Sequence, residues 1–232
     1  MIQIGGLQKT TLIDYPGRVA CTVFLIGCNF RCPFCYSSEL VLPEKIKLQP
    51  RIYEKDFFKF LKERKGLLDN LVLCGGEPTI NKDLPQFCKK IKKLGYFVKL
   101  DTNGSNPEML KKLIDEKLID YVAMDIKAPR GKYEFFSGAK LVNEVEESVN
   151  ILKKNQIGYE FRTTIAPGLK KEDILKATNW IAGKGVNYFL QEFTAQKEVI
   201  NPEILGLPVL KRKEIEEIIE QIKPKFKNCQ IR

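Results

Sequence analysis

The chain has 232 residues, enough to bury a sizeable core in one domain or at most two, and it carries 39 lysines and arginines against 29 aspartates and glutamates, a formal net charge of +10, with no histidine at all. The missing histidine excludes Ser-His-Asp and Cys-His hydrolases, HExxH zinc proteases, His-ligated haem and the usual zinc deaminases, so any metal must be held by thiolates or carboxylates. With 44% hydrophobic and 29% charged residues and a mean hydropathy of -0.23, the composition is that of a soluble globular chain, and its apolar runs are far shorter than a membrane span.

Residues 1–17 carry neither a basic n-region nor an unbroken apolar core, so they read as an N-terminal extension and not as a signal peptide, which predicts a cytoplasmic protein with reduced cysteines. After the Pro16-Gly17 turn, Arg18–Leu25 is a β-branched and apolar run, the first predicted strand. Further strands are predicted over 71–74, 97–101, 121–126, 159–165 and 188–192. Helical spacing separates them: Leu84, Phe87, Cys88 and Ile91 within 82–94, and Leu141, Val145 and Val149 within 140–155. Gly95 and Gly158 stand where those helices should end, the second of them at Gln156. Ile215, Ile218, Ile219 and Ile222 mark a last helix.

About six strand–helix alternations predict an α/β fold of parallel strands, too few for an eight-fold barrel. A partial (β/α)6 barrel is expected: a single domain over 1–232, with its core over about 18–200 and a C-terminal helix and tail over 201–232. The lysines come as pairs on predicted helices among scattered glutamates and not as one basic arm, a pattern that favours solvated helix faces over a nucleic-acid surface.

The chemistry-bearing residues fall near the C-terminal ends of the predicted strands, where β/α folds build their sites. Cys28, Cys32 and Cys35 lie within eight residues on the loop leaving the first strand. Three thiols on one loop can wrap a metal centre. A closed zinc site would need a fourth ligand such as Cys74, whereas a 4Fe-4S cluster on three cysteines keeps one iron open, and incidental packing of the three is the remaining reading. Gly75-Gly76-Glu77 follows the second strand, and paired glycines admit close approach of a ligand to backbone. Asp101 ends the third strand, while Asp125 and Lys127, two apart around Ile126, share a face of the fourth. On pattern alone Asp125 and Lys127 could equally form a structural ion pair. Cys21, Cys74 and Cys88 read as core residues, and Cys229 in the basic tail has no assignment.

The C-x3-C-x2-C run with Phe34 before its last cysteine resembles the signature of radical S-adenosylmethionine (SAM) enzymes. The companions GGLQKTTLIDYPG, GGEPT, DTNG and MDIKAP narrow the resemblance to the activating enzymes of glycyl radical enzymes, especially the anaerobic ribonucleotide reductase activating group. That resemblance implies a 4Fe-4S cluster on Cys28, Cys32 and Cys35, whose open iron is chelated by SAM. Reductive cleavage of SAM would then give a 5′-deoxyadenosyl radical that takes hydrogen from a glycine of a partner enzyme. It further implies SAM contacts from Phe34, Cys35, Tyr36, Gly75, Gly76, Glu77, Asp101, Asp125, Ile126, Lys127, Arg162 and Gln191, and a monovalent cation near Asp101 and Asp125. Asp14 would touch the partner, and a flavodoxin or ferredoxin-type protein would supply the electron. Such chemistry needs no protein acid or base, so a chain without histidine can carry it. Tyr36-Ser37 stands where activating enzymes commonly have His-Asn, and the Gln191 region where many have a late histidine. The other readings are a radical SAM enzyme acting on a small molecule, nucleobase or RNA, and a zinc-stapled basic nucleic-acid-binding protein.

Overall fold

The structure is a computed structural model that describes residues 2–154, 157–194 and 198–232. Its strands are β1 (Ile4–Tyr15), β2 (Arg18–Leu25), β3 (Asn70–Gly75), β4 (Phe97–Thr102), β5 (Tyr121–Asp125), β6 (Gly158–Ile165), β7 (Gly183–Glu192) and β8 (Phe226–Ile231). The helices are α1 (Ser38–Val41), α2 (Pro43–Ile46), α3 (Glu54–Arg64), α4 (Leu84–Lys93), α5 (Pro107–Asp115), α6 (Tyr133–Ser137), α7 (Val142–Lys154), α8 (Lys171–Ile181) and α9 (Arg212–Ile222).

All eight strands form one sheet in chain order, with β1 antiparallel to β2 and every later pair parallel. β1 and β8 are its two edges, so the sheet is an open, partial barrel. The six predicted strands are β2 to β7. The two ends differ from expectation: residues 4–15 and 226–231 are strands of the sheet and not an extension and a tail. Both escape a period-2 reading for a physical reason. β1 contains Gly5-Gly6, is register-shifted against β2 and exposes one run of three residues, while β8 mixes Lys227 and Asn228 into six residues.

The helical stripes are buried as their spacing requires. Leu84, Phe87, Cys88 and Ile91 of α4 and the four isoleucines of α9 join the main core, together with the outward-facing Val23, Leu73, Leu100, Met124 and Phe161 of the strands. Gly95, with φ +79, ends α4 in the left-handed conformation expected of a C-cap. The helix end predicted at Gln156 lies outside the described residues. Cys21 and Cys88 are core residues as expected, and Cys229 is buried on β8. Lys89, Lys90, Lys92, Lys111 and Lys171 each reach a carboxylate, which suits solvated, ion-paired helix faces. No helix of the described residues is long and apolar enough to cross a membrane.

Candidate functional site

The C-terminal ends of β2 to β7 surround a cavity of about 320 Å³. The cysteine loop closes one side of it, and Cys28, Cys32 and Cys35 all line it as free thiols. The loop is held on three sides. Arg31 Nη1 donates to the carbonyls of Cys28 and Phe30, both at 2.7 Å, and Arg31 N donates to Ser137 O, in the last residue of α6, at 2.8 Å. On the far side Ile200 N donates to Cys35 O and Asn201 N to Pro33 O, each at 3.0 Å. Burial pushes the Cys28 thiol up to about 11 and Cys32 up to about 12, so both stay protonated at neutral pH until a metal displaces the proton.

The glycine pair sits opposite. Gly76 N bonds to Leu25 O at 2.9 Å, and a Cβ at Gly76 would meet Gly27 O at 2.0 Å, so no side chain can separate this turn from the start of the cysteine loop. Gly75 and Gly76 line the cavity, but Glu77 does not. Its fully buried carboxylate accepts from Thr79 N and Oγ1, Thr102 Oγ1 and Asn103 N at 2.6 to 3.0 Å. Glu77 therefore brackets the GGE turn to the DTNG turn through four protein donors, and its side chain is turned away from the cavity that the two glycines line.

Beneath the cysteine loop an ion ladder crosses the inner faces of three strands. Lys99 Nζ donates to Asp101 Oδ1, Arg162 Nη1 to Asp101 Oδ2 at 2.9 Å, Arg162 Nε to Asp125 Oδ1 at 2.9 Å, and Lys127 Nζ to Asp125 Oδ2 at 3.0 Å. Burial alone would raise the Asp125 pKa, but the charges of Arg162 and Lys127 overcome it and hold the carboxyl down to about 2. Lys127 and Arg162 are held fully cationic by the same carboxylates against the cost of their burial. At the place where a cation near Asp101 and Asp125 is expected, all four carboxylate oxygens take an ammonium or guanidinium of the chain.

Phe34, Tyr36 and Gln191 line the cavity with Phe193, and Lys127 Nζ lies 5.9 Å from the Phe34 ring centre. Ile126 is wholly buried in the main core, and only its backbone N reaches β6, at Arg162 O. Asp14 does not line the cavity either; it accepts from Thr22 Oγ1 at 2.6 Å, two residues before the cavity-lining Phe24. Cys74 packs against the small Tyr15, Ala20 and Val72 cluster, as its predicted core role requires, and also faces the cavity near the end of β3.

Three contributors escaped the sequence reading. Lys99 was readable only as a charged residue inside the apolar run Val98 to Leu100. Asn103, whose amide reaches Asn29 Oδ1 at 3.1 Å, was hidden inside a turn motif, and 198–201 has no pattern to betray it. Among the described residues no three His, Cys, Asp or Glu side chains converge tightly enough to hold a single metal ion. Three free thiols of one loop at one cavity suit a cubane cluster, in which each thiolate takes a different iron. The donor set therefore fits a 4Fe-4S cluster that Cys28, Cys32 and Cys35 would hold, in a cavity that Gly75 and Gly76 also line.

The model of the radical SAM superfamily matches residues 22–181. Over a 237-residue alignment the chain is 32% identical to a provisionally named glycyl-radical enzyme activating enzyme of Methanocaldococcus jannaschii, covering 99% of this chain and 95% of that protein. It is also 25% identical to a Thermococcus kodakarensis protein named as a GTP 3′,8-cyclase by inference, over 84% of this chain and 63% of that one. Among solved structures, Streptococcus suis SuiB bound to S-adenosylmethionine aligns with a TM-score of 0.64 at 13% identity, over 89% of this chain, which spans 48% of that one. A domain of pyruvate-formate lyase-activating enzyme from Bacteroides vulgatus aligns with a TM-score of 0.56 at 13% identity, over 69% of this chain and 97% of that one. At such identities the two structures establish the fold alone.

Proposed function

This chain belongs to the radical SAM superfamily, whose members use a 4Fe-4S cluster and SAM, and from that premise we propose that it is an activase which generates a glycyl radical on a separate partner enzyme. Family membership replaces the zinc-stapled nucleic-acid-binding reading. The observation that carries the proposal is the convergence of Cys28, Cys32, Cys35, Gly75, Gly76, Asp125 and Lys127 on one cavity, together with the near full-length match to a relative named for this activity.

When bound, the cluster and SAM supply reductive cleavage of the sulfonium bond and a 5′-deoxyadenosyl radical. The chain's own residues hold and orient. Cys28, Cys32 and Cys35 would ligate three irons of the cluster. Gly75 and Gly76 offer backbone groups to the ligand at close range, which their missing side chains permit. Lys127 and Arg162 present positive charge to an anionic group, and their ion pairs fix where that charge stands. Phe34, Phe193 and Phe24 supply apolar walls that keep water from the reactive carbon. A flavodoxin or ferredoxin-type donor delivers the electron.

Protein reconstituted anaerobically should hold iron and sulfide in cluster ratio and release 5′-deoxyadenosine with dithionite and SAM. Incubation with a purified glycyl radical subunit from the same organism should give the electron paramagnetic resonance signal of a glycyl radical. SAM cleavage without that signal on any candidate subunit would overturn the activase reading. The weaker match to a cyclase-named protein supports the second reading, a nucleotide in place of the protein substrate, and consumption of a nucleotide under these conditions would select that alternative.

A further inference from the structure

Of the five charged groups in the ladder, Asp101, Asp125, Lys127 and Arg162 line the cavity, and Lys99 does not. Its side chain is 1% exposed on the inner face of β4, and its ammonium bonds Asp101 Oδ1, the one oxygen of that carboxylate that Arg162 leaves free. Burying a lysine inside a sheet is costly, and an apolar residue of similar volume commonly serves stability as well or better. A buried ammonium kept at this position calls for another role.

We propose that Lys99 is a positioning residue for SAM: by pinning Asp101 it fixes the Arg162 guanidinium and, through Asp125, the Lys127 ammonium at the cavity wall. The connectivity is linear, Lys99 to Asp101 to Arg162 to Asp125 to Lys127, and every carboxylate oxygen in it has one donor. Removing Lys99 frees Asp101 Oδ1 to compete for the guanidinium now shared with Asp125. It also removes one of the three cations that outnumber the two carboxylates, and with it the surplus positive charge that an anionic group of the ligand would balance. The inference rests on the reading of this cavity as the SAM site.

The test measures SAM affinity by equilibrium dialysis on cluster-loaded wild type, Lys99→Ala and Lys99→Met at matched iron content, with and without n-propylammonium, which replaces the atoms that the alanine variant lacks. Both variants should bind SAM about tenfold more weakly, the loss expected for a hydrogen bond between charged groups. Propylammonium should restore the alanine variant and leave the methionine variant, whose space is filled, unchanged. Wild-type affinity in both variants would overturn the proposal, as would a loss in the alanine variant that propylammonium does not reverse. If the alanine variant does not fold, the methionine variant decides: a tenfold loss supports the proposal and an unchanged affinity overturns it. A wild type that loads its cluster yet binds no SAM overturns the parent reading and the inference with it.

Discussion

The two faces of β4, β5 and β6 are built from the same short segments yet have opposite chemistry. Facing the helices are Val98, Leu100, Val122, Met124 and Phe161, all in the main core; facing the interior of the partial barrel are Lys99, Asp101, Asp125, Glu160 and Arg162. In closed β/α barrels the interior is filled by bulky branched residues. Here the open sheet leaves a polar interior below the cysteine loop, continued downward by Glu160, whose buried carboxylate pairs with Arg232 at 2.9 Å. The outer face therefore carries stability alone, whereas the inner face carries ligand electrostatics as well, and a substitution on the outer face should leave ligand affinity intact.

The largest effect is expected at the cavity's metal ligands. Cys32→Ala should lose the cluster and SAM cleavage altogether while keeping the fold, since it removes only one small thiol from the cavity side of the core; unaltered iron and sulfide content would refute the ligand assignment. Gly76→Ala comes next. Its Cβ would stand 2.0 Å from Gly27 O, a backbone atom that cannot swing aside, so the GGE turn must move away from the cysteine loop. SAM cleavage should fall below detection in protein whose circular dichroism is native, and retained cleavage would show that this close approach is dispensable.

The adjacent residues Phe161 and Arg162 point to opposite faces and make the sharpest contrast. Phe161→Ala opens a cavity in the main core and should cost about 3–5 kcal/mol of unfolding free energy. Arg162→Met strips one partner from two half-buried carboxylates and should destabilise the fold too, by less than the roughly 3–5 kcal/mol of a fully buried pair. Under conditions where both variants are folded, SAM affinity should be near wild type for Phe161→Ala and at least tenfold weaker for Arg162→Met. Urea titrations with parallel equilibrium dialysis check this, and equal affinity losses in the two would erase the division of labour between the faces.

That contrast also explains what was legible in the sequence. β2 to β7 could be read because their runs are apolar on the helix-facing side and short. The cysteine spacing could be read because it is local. Glu77 stood out as part of a motif, but its role did not, because two of its four donors come from Thr102 and Asn103, some 25 positions away. Lys99 was hidden for a different reason: strand alternation marks every second residue as facing away from the core, and it cannot tell solvent from the interior of an open barrel. β1 and β8 were missed because edge strands are selected for bulges, glycine and charge, which erase the pattern by which strands are recognised.

The smallest effect is a pH dependence that belongs to the inner face alone. Asp125 is held at about 2 in the fold against an ordinary value of 3.8. A carboxyl with a depressed folded pKa favours the folded state when ionised, so its contribution is fully present above about pH 4 and is lost as the pH falls through about 2. The depression corresponds to about 2 kcal/mol at neutral pH. Wild-type protein and the outer-face variant Phe161→Ala should therefore lose stability in parallel as the pH is lowered from 5 to 2, while Asp125→Asn, lacking the titrating group, should lose about 2 kcal/mol less over the same window. Parallel curves for all three would place the acid-sensitive groups outside the ladder and would leave Lys127 and Arg162 without the coupling to Asp125 that orients them.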